Sequence, residues 1–193
     1  MRVRSSLLLV SLVVVAAGCT VGGTATPGGT NTQPTTSGTS APSSSRPRLV
    51  KLDGIDECKT LTAAQQKELD IDSSASAPLE VTGVGKAPTC RYRSQNIPLF
   101  SYTVALITEK GIDFWAEGGN LAIEPMEVSG FPAKQVKLAG TKDAGCSTAV
   151  DTADGQNLYV TFLPITREFS PEQQCANAKK AAELALATIQ TLR

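Results

Sequence analysis

Hydrophobic and polar residues alternate along the middle of the chain in a pattern typical of β-strands. Between residues 100 and 106, Phe, Tyr, Val and Leu alternate with Ser, Thr and Ala, and this period of two predicts a half-buried strand. Residues 158–162 repeat the alternation, and 136–138 mark a further strand. Asp154-Gly155 separates the segment 146–151 from the strand at 158–162, which predicts a hairpin.

Two capping signals predict the helices. Thr62 and Ser170 each have Gln three residues later, the capping-box pattern, and Pro171 occupies the first position of the second helix. The first helix is short and ends near Asp70. The second carries an apolar stripe at helical spacing, as expected of a helix on a sheet: Cys175, Ala178, Ala182, Ala185, Ile189 and Leu192.

Between the strands, residues 112–117 predict a short helix ended by Gly118-Gly119, and Gly130-Phe131-Pro132 predicts a turn. Elements in the order helix, strands, short helix, strands, helix indicate an α+β fold with an antiparallel sheet. All aromatic residues lie between Tyr92 and Phe169, so the core is expected to centre on that stretch.

The start of the chain predicts export. Arg2 and Arg4 precede an apolar run, 7–17, which ends at Gly18-Cys19, as in a secretory signal peptide. Cleavage before cysteine resembles the bacterial lipobox, in which the sulfur receives a diacylglycerol. A membrane-spanning anchor is the rival, but it needs about 20 apolar residues. We therefore expect lipid-modified Cys19 on the extracytoplasmic side of the cell membrane, with plain secretion as a second alternative.

Composition divides the remaining chain into a linker and one domain. Of the 26 residues from 20 to 45, 21 are Thr, Ser, Gly or Pro, too few apolar groups to form a core. We assign residues 1–18 to the signal peptide, 19–48 to the lipidated cysteine and flexible linker, and 49–193 to the domain. The linker threonines are also potential sugar acceptors.

Charge argues against a nucleic-acid partner. The full chain has 18 basic and 18 acidic residues, and loss of Arg2 and Arg4 with the signal peptide leaves a net charge near −2. A protein that binds nucleic acid normally has a basic surplus.

The other cysteines are expected to form disulfides. An even set in an exported protein indicates two bonds, and the chain lacks both histidine and a C-x-x-C pair that would suggest a metal site. Three pairings are possible. We favour neighbour pairing, which would tie each terminal helix to the sheet: Cys58 with Cys90, and Cys146 with Cys175.

Several of these segments together resemble the actinobacterial lipoproteins grouped as domain of unknown function 3558. The resemblance spans about residues 52–192 and implies an envelope lipoprotein without supplying a reaction. It rests on the following segments: Asp56-Glu57-Cys58 with Leu61-Thr62, Cys90-Arg91-Tyr92, Val128-Ser129-Gly130-Phe131-Pro132-Ala133, Cys146, and Cys175 at the start of an alanine-rich helix.

Few residues suggest catalysis. Without histidine, a serine or cysteine nucleophile lacks its usual base, and the phosphate-binding glycine motifs are absent. No cofactor or metal is therefore predicted. A carboxylate-dependent hydrolase remains the alternative function, through three acidic pairs at turns or element ends: Glu124/Glu127, Asp70/Asp72 and Asp151/Asp154.

Adjacent aromatics provide the best candidate contact surface. Phe114 and Trp115 on one short helix diverge by roughly 100°, so one of them is expected to be exposed or to line a groove. Trp115 shares a face with Ile112 and is assigned to the core; Phe131 in its turn is a further candidate. We expect a non-catalytic binding module that takes a small apolar ligand or an envelope protein.

Overall fold

The computed structural model describes residues 45–81, 83–116, 119–142, 144–166 and 168–192. They form an α+β domain in which a seven-stranded antiparallel sheet packs against one long helix, as predicted. Its helices are α1 (Ala63–Glu68) and α2 (Pro171–Thr191), with 3₁₀ turns at Glu57–Lys59 and Ile112–Phe114. Its strands are β1 (Ser73–Ser76), β2 (Leu79–Val81), β3 (Gly85–Ala87), β4 (Thr89–Arg93), β5 (Phe100–Ile107), β6 (Leu121–Val128), β7 (Phe131–Leu138), β8 (Cys146–Ala153) and β9 (Gln156–Pro164).

The large sheet has the strand order β1-β4-β5-β9-β8-β7-β6, while β2 and β3 form a separate hairpin. The predicted hairpin at Asp154-Gly155 is confirmed, since Ala153 pairs with Gln156. At the other predicted turn, only Ser129 and Gly130 form the loop, both at positive φ. Phe131 already belongs to β7, because a two-residue hairpin needs just two residues with positive φ.

Both predicted capping boxes are present. The Thr62 hydroxyl accepts a hydrogen bond from the Gln65 backbone, and the Ser170 hydroxyl does the same for Gln173. The inner face of α2 buries alanines together with Leu186 and Ile189, and the short alanine side chains let the helix approach the sheet closely. Leu192 was wrongly assigned to the stripe: its side chain is 46% exposed, because the helix ends at residue 191.

Helix α2 and the inner face of the sheet enclose the main core, which contains Tyr92, Val104, Phe131 and Phe162. The opposite, outer face carries a second and smaller cluster around Ala105, Ile107 and Trp115. The expectation of a half-buried strand at 100–106 is therefore wrong, since seven of the eight residues of β5 are buried. The β2–β3 hairpin and Trp115 cover the face that the alternation predicts to be solvated.

The first residues of the described chain contact the domain. Arg46 forms an ion pair of 2.6 Å with Asp151 and a second with Asp154, while Arg48 donates to the side chain of Gln190. Arg46 and Arg48 belong to the segment that sequence composition assigns to the linker. Arg46 thus attaches the chain to the β8–β9 hairpin, and Arg48 attaches it to the last turns of α2.

Candidate functional site

Trp115 follows the 3₁₀ turn Ile112–Phe114 and lies on the outer face of the sheet. Its ring stacks on Tyr159 of β9, with centroids 4.3 Å apart and planes inclined by 8°. The indole Nε1 donates a 3.1 Å hydrogen bond to Oδ1 of Asn157, whose Nδ2 donates to the Lys110 carbonyl at 2.8 Å. Since stacking and hydrogen bonding act on the same ring, the orientation of Trp115 is fixed.

Lys134 anchors the turn from the neighbouring strand β7. Its Nζ donates a 2.7 Å hydrogen bond to the Trp115 carbonyl and approaches Asp113 at 3.7 Å. Both the side chain and the backbone carbonyl of Trp115 are therefore bonded to the sheet, through Asn157 and Lys134.

Phe114 and Trp115 were expected to diverge, and the structure corrects this expectation. Trp115 is only 6% exposed and Phe114 is half-buried. Trp115 is thus the more buried of the two, as predicted. Their rings nevertheless meet edge to face with centroids 5.0 Å apart, and both pack on the outer cluster. The reason is that helical geometry ends at Phe114: Trp115 has a ψ of 88°, so the separation calculated for a helix does not apply.

A groove opens beside this aromatic pair. It has a volume of about 480 Å³ and a mainly apolar lining from β2, the 3₁₀ turn, the start of β6 and β9. Two exposed polar side chains, Glu80 and Asn120, also line it. The lining apolar residues are Leu79, Val81, Phe114, Trp115, Leu121 and Tyr159. We call this the Trp115 groove.

Burial raises the pKa of the Tyr159 hydroxyl, an effect that hydrogen bonds with Ser147 and Thr161 oppose. Tyr159 therefore stays neutral at physiological pH, so the aromatic wall of the Trp115 groove carries no charge. An uncharged wall of aliphatic and aromatic groups suits an apolar ligand.

Tyr159 and Leu79 were missed as candidate residues. Tyr159 alternates with the buried Leu158 and Val160, so its place on the outer face follows from the period of two once that face is known to matter. Leu79 lies in a three-residue strand, too short for any periodic signal.

Phe131 is not a surface residue. Its side chain is 2% exposed and belongs to the main core, on the opposite side of the sheet from Trp115. The candidate contact surface at Phe131 is therefore wrong, because β7 begins at this residue and turns its side chain towards α2.

The two disulfides and the predicted pairing are confirmed. Cys58 bonds to Cys90, and Cys146 bonds to Cys175. The second bond ties α2 to β8 as expected, whereas Cys58 belongs to the 3₁₀ turn Glu57–Lys59 rather than to α1. Cys19 lies outside the described residues.

Each of the three acidic pairs has at least one member engaged in a structural contact. Asp151 and Asp154 both bind Arg46, and burial raises the pKa of Asp151, which the Arg46 guanidinium opposes. Asp72 accepts from the backbone of Gln95 and from the side chain of Asn96.

The third pair lies on the edge strand β6, where Glu124 accepts from Gln135 and Lys137. Within the described ranges, no group of three Cys, Asp or Glu is arranged to hold a metal ion. None of the helices in this part of the chain has the length and hydropathy of a membrane span.

Comparisons with known proteins add a family. Neither the curated proteins nor the solved structures contain a match. A family model does match, over residues 14–188, which include both disulfides, the Trp115 groove and almost all of α2. The chain therefore belongs to DUF3558, a family described as proteins of unknown function.

Proposed function

We propose that this protein is a lipoprotein anchored through Cys19 to the outer side of the cell membrane, and that its domain is a non-catalytic binding module. The observation that carries the binding role is the Trp115 groove, whose aromatic wall is held in place before any ligand arrives. Its volume of about 480 Å³ is within the range of small-molecule sites, which are typically apolar with a few polar groups. We infer a small apolar ligand.

The attachment of the chain supports this assignment. Arg46 fixes the start of the domain to the β8–β9 hairpin through Asp151 and Asp154. Gly155 of that hairpin lies next to Gly111, with only 3.5 Å between the Gly155 Cα and a Cβ built on Gly111. Since Gly111 directly precedes the Trp115 turn, a tether entering at Arg46 joins the domain near the groove. A ligand released from the membrane would then have a short path to it.

Ligand capture is favoured over docking of an envelope protein by the concave shape of the site. A carboxylate-dependent hydrolase is the less supported alternative. In each of the three predicted acidic pairs, at least one carboxylate already binds an arginine, lysine or amide group of the domain itself. Ligand capture is tested by direct binding of an apolar probe to the groove.

The anchor is tested by Cys19→Ser, which removes the sulfur that the lipid requires. Detergent phase partitioning should move the protein from the detergent phase, where the lipidated form is found, to the aqueous phase, or leave an unprocessed precursor. Recovery of a processed mutant protein in the detergent phase would contradict the proposed anchor.

The groove is tested with a bromine-tagged dodecanol, since bromine quenches a nearby indole and Trp115 is the sole tryptophan. We expect saturable quenching, and we expect Leu121→Gln to weaken it about tenfold through lost apolar contact. Leu138→Gln is the matched control, because Leu138 pairs with Leu121 across β6 and β7 but lies outside the groove lining. Absence of saturation, or equal weakening by both variants, would refute ligand capture.

A further inference from the structure

A second groove on the outer face of the sheet is lined by two arginines. Arg91 and Arg93 are two residues apart on β4, so both side chains point away from the main core, to which the intervening Tyr92 contributes. The groove between them and β9 has a volume of about 550 Å³. We call it the arginine groove.

Neither guanidinium is neutralised within the described part of the chain, where no ion pair or side-chain hydrogen bond of Arg91 or Arg93 is found. Six other cations of the domain each have a carboxylate within 4 Å: Arg46, Lys59, Lys134, Lys137, Lys179 and Lys180. Two adjacent unpaired guanidinium groups, one half-buried and one exposed, attract an anion. Arginine suits carboxylate and phosphate oxygens in particular, because its planar fork donates two parallel hydrogen bonds.

Strand register adds hydroxyl groups to this site. Arg91 is opposite Thr103, which in turn is opposite Thr161, and Arg93 is opposite Ser101. These three hydroxyl residues line the arginine groove. A headgroup with oxygen atoms would thus meet two cations and several neutral hydrogen-bonding groups on one surface.

The same groove also has apolar walls. Leu163 and Ile165 are 43% and 57% exposed, and both line it together with Leu79. Exposed aliphatic side chains next to unpaired arginines suit a ligand that has a charged end and a hydrocarbon part.

The arginine groove continues into the Trp115 groove. Leu79 lines both of them, and Tyr159 is two residues before Thr161, on the same face of β9. The row of the sheet that contains Arg91 crosses β9 two residues from Tyr159, and the row that contains Arg93 crosses it four residues away. Because a strand rises about 3.3 Å per residue, these rows lie about 7 Å and about 13 Å from Tyr159 along the strand. An extended hydrocarbon chain of moderate length spans such distances.

We propose that Arg91 and Arg93 bind the anionic carboxylate or phosphate headgroup of an amphiphile whose hydrocarbon chain occupies the Trp115 groove. This inference rests on the proposed function, to which it adds the chemical class of the ligand: a lipid-like anion rather than a neutral apolar molecule.

The test compares bromine-tagged dodecanoic acid with the matching dodecanol, using quenching of Trp115 in the mature domain. The two probes have the same chain and differ in the charge of the headgroup. We expect the acid to bind about tenfold more tightly than the alcohol, and added salt to reduce this preference because the arginines are partly solvated.

In the double variant Arg91→Gln/Arg93→Gln, affinity for the acid should fall about tenfold, while affinity for the alcohol stays within about twofold. The control Lys67→Gln/Lys142→Gln removes the same charge from two exposed residues outside both groove linings, and it should leave the preference for the acid intact. Circular dichroism of both double variants verifies that they are folded.

The outcomes separate the two proposals. Equal affinity of the wild-type protein for acid and alcohol, or an equal loss in the lysine control, overturns the arginine site but leaves the Trp115 groove as an apolar site. Binding of neither probe overturns both. A third arm adds inorganic phosphate: displacement of the acid at equal concentrations of the two would show that a free oxyanion is the ligand, and would overturn the assignment of an amphiphile.

Discussion

Replacing Trp115 by alanine should be among the most damaging single changes on the outer face of the sheet. The side chain is 94% buried, stacks on Tyr159 and satisfies the amide oxygen of Asn157, a residue with no exposed surface. Loss of a buried tryptophan typically costs about 3–5 kcal/mol through lost burial and the cavity that remains. The half-buried Phe114 should cost less, on the order of 1–2 kcal/mol, because less of its surface is removed from water.

Trp115→Phe separates the hydrogen bond from the packing. Phenylalanine retains most of the stacking on Tyr159 but has no N–H group, which leaves Oδ1 of Asn157 buried without its donor. An unsatisfied buried acceptor costs about 1–3 kcal/mol, so this variant should lie between wild type and Trp115→Ala. A double-mutant cycle with Asn157→Ala should give a coupling free energy of about 0.5–1.5 kcal/mol.

Urea unfolding followed by circular dichroism measures these differences, since the Trp115 variants lack the only tryptophan of the sequence. A loss of unfolding free energy below about 1 kcal/mol for Trp115→Ala would refute the reasoning, because removing a buried indole that leaves a cavity costs more than that. A larger loss for Phe114→Ala than for Trp115→Ala would show that the burial of the two rings is reversed.

Other predictions concern the framework of the domain. Cys146→Ala and Cys58→Ala should each destabilise the domain by about 2–5 kcal/mol, and peptide mapping without reduction should recover only neighbour-paired peptides from the wild type. Gly145→Ala should cost about 3 kcal/mol, because the new Cβ would lie 2.5 Å from the Phe162 carbonyl oxygen at a φ of +85°. Gly140→Ala is the control: it also has a positive φ but open space around the new Cβ, and it should cost about 1 kcal/mol. Equal losses of unfolding free energy in urea would contradict the predicted clash. Burial raises the pKa of Tyr102, so the folded state holds its proton more tightly than the unfolded state; stability is complete below about pH 10 and falls as pH rises above it, by up to about 1.4 kcal/mol per pH unit for this group. Urea midpoints from pH 8 to 11 should therefore decline less steeply in Tyr102→Phe, and an unchanged slope would argue against the burial effect.

Local signals predicted the parts of the fold that local energetics decide. The capping boxes at Thr62 and Ser170 involve hydrogen bonds within four residues, and the Asp154-Gly155 turn depends on two residues in left-handed or turn conformations. Such interactions join residues that are close in the chain, so sequence alone was enough to place both helices and the β8–β9 hairpin.

Strands β1 and β6 had no such signal. Both are edge strands; β1 consists of serine and alanine, and β6 contains Pro125 and two glutamates. An edge strand buries little surface and tolerates proline, so its formation depends on a partner strand rather than on its own periodicity.

By itself, the sequence determined the α+β class, the two terminal helices, the expected disulfides and the family resemblance. Only the tertiary structure decided what lies on the outer face of the sheet. The alternation within β5 is compatible with a solvated face, and the cover over Ala105 comes from β2, β3 and Trp115. The same register places Arg91 of β4 and Thr161 of β9, 70 positions apart in the chain, in one row across the sheet with Thr103 between them. Pairing between distant strands is chosen by the combined packing of both faces, which no local pattern encodes.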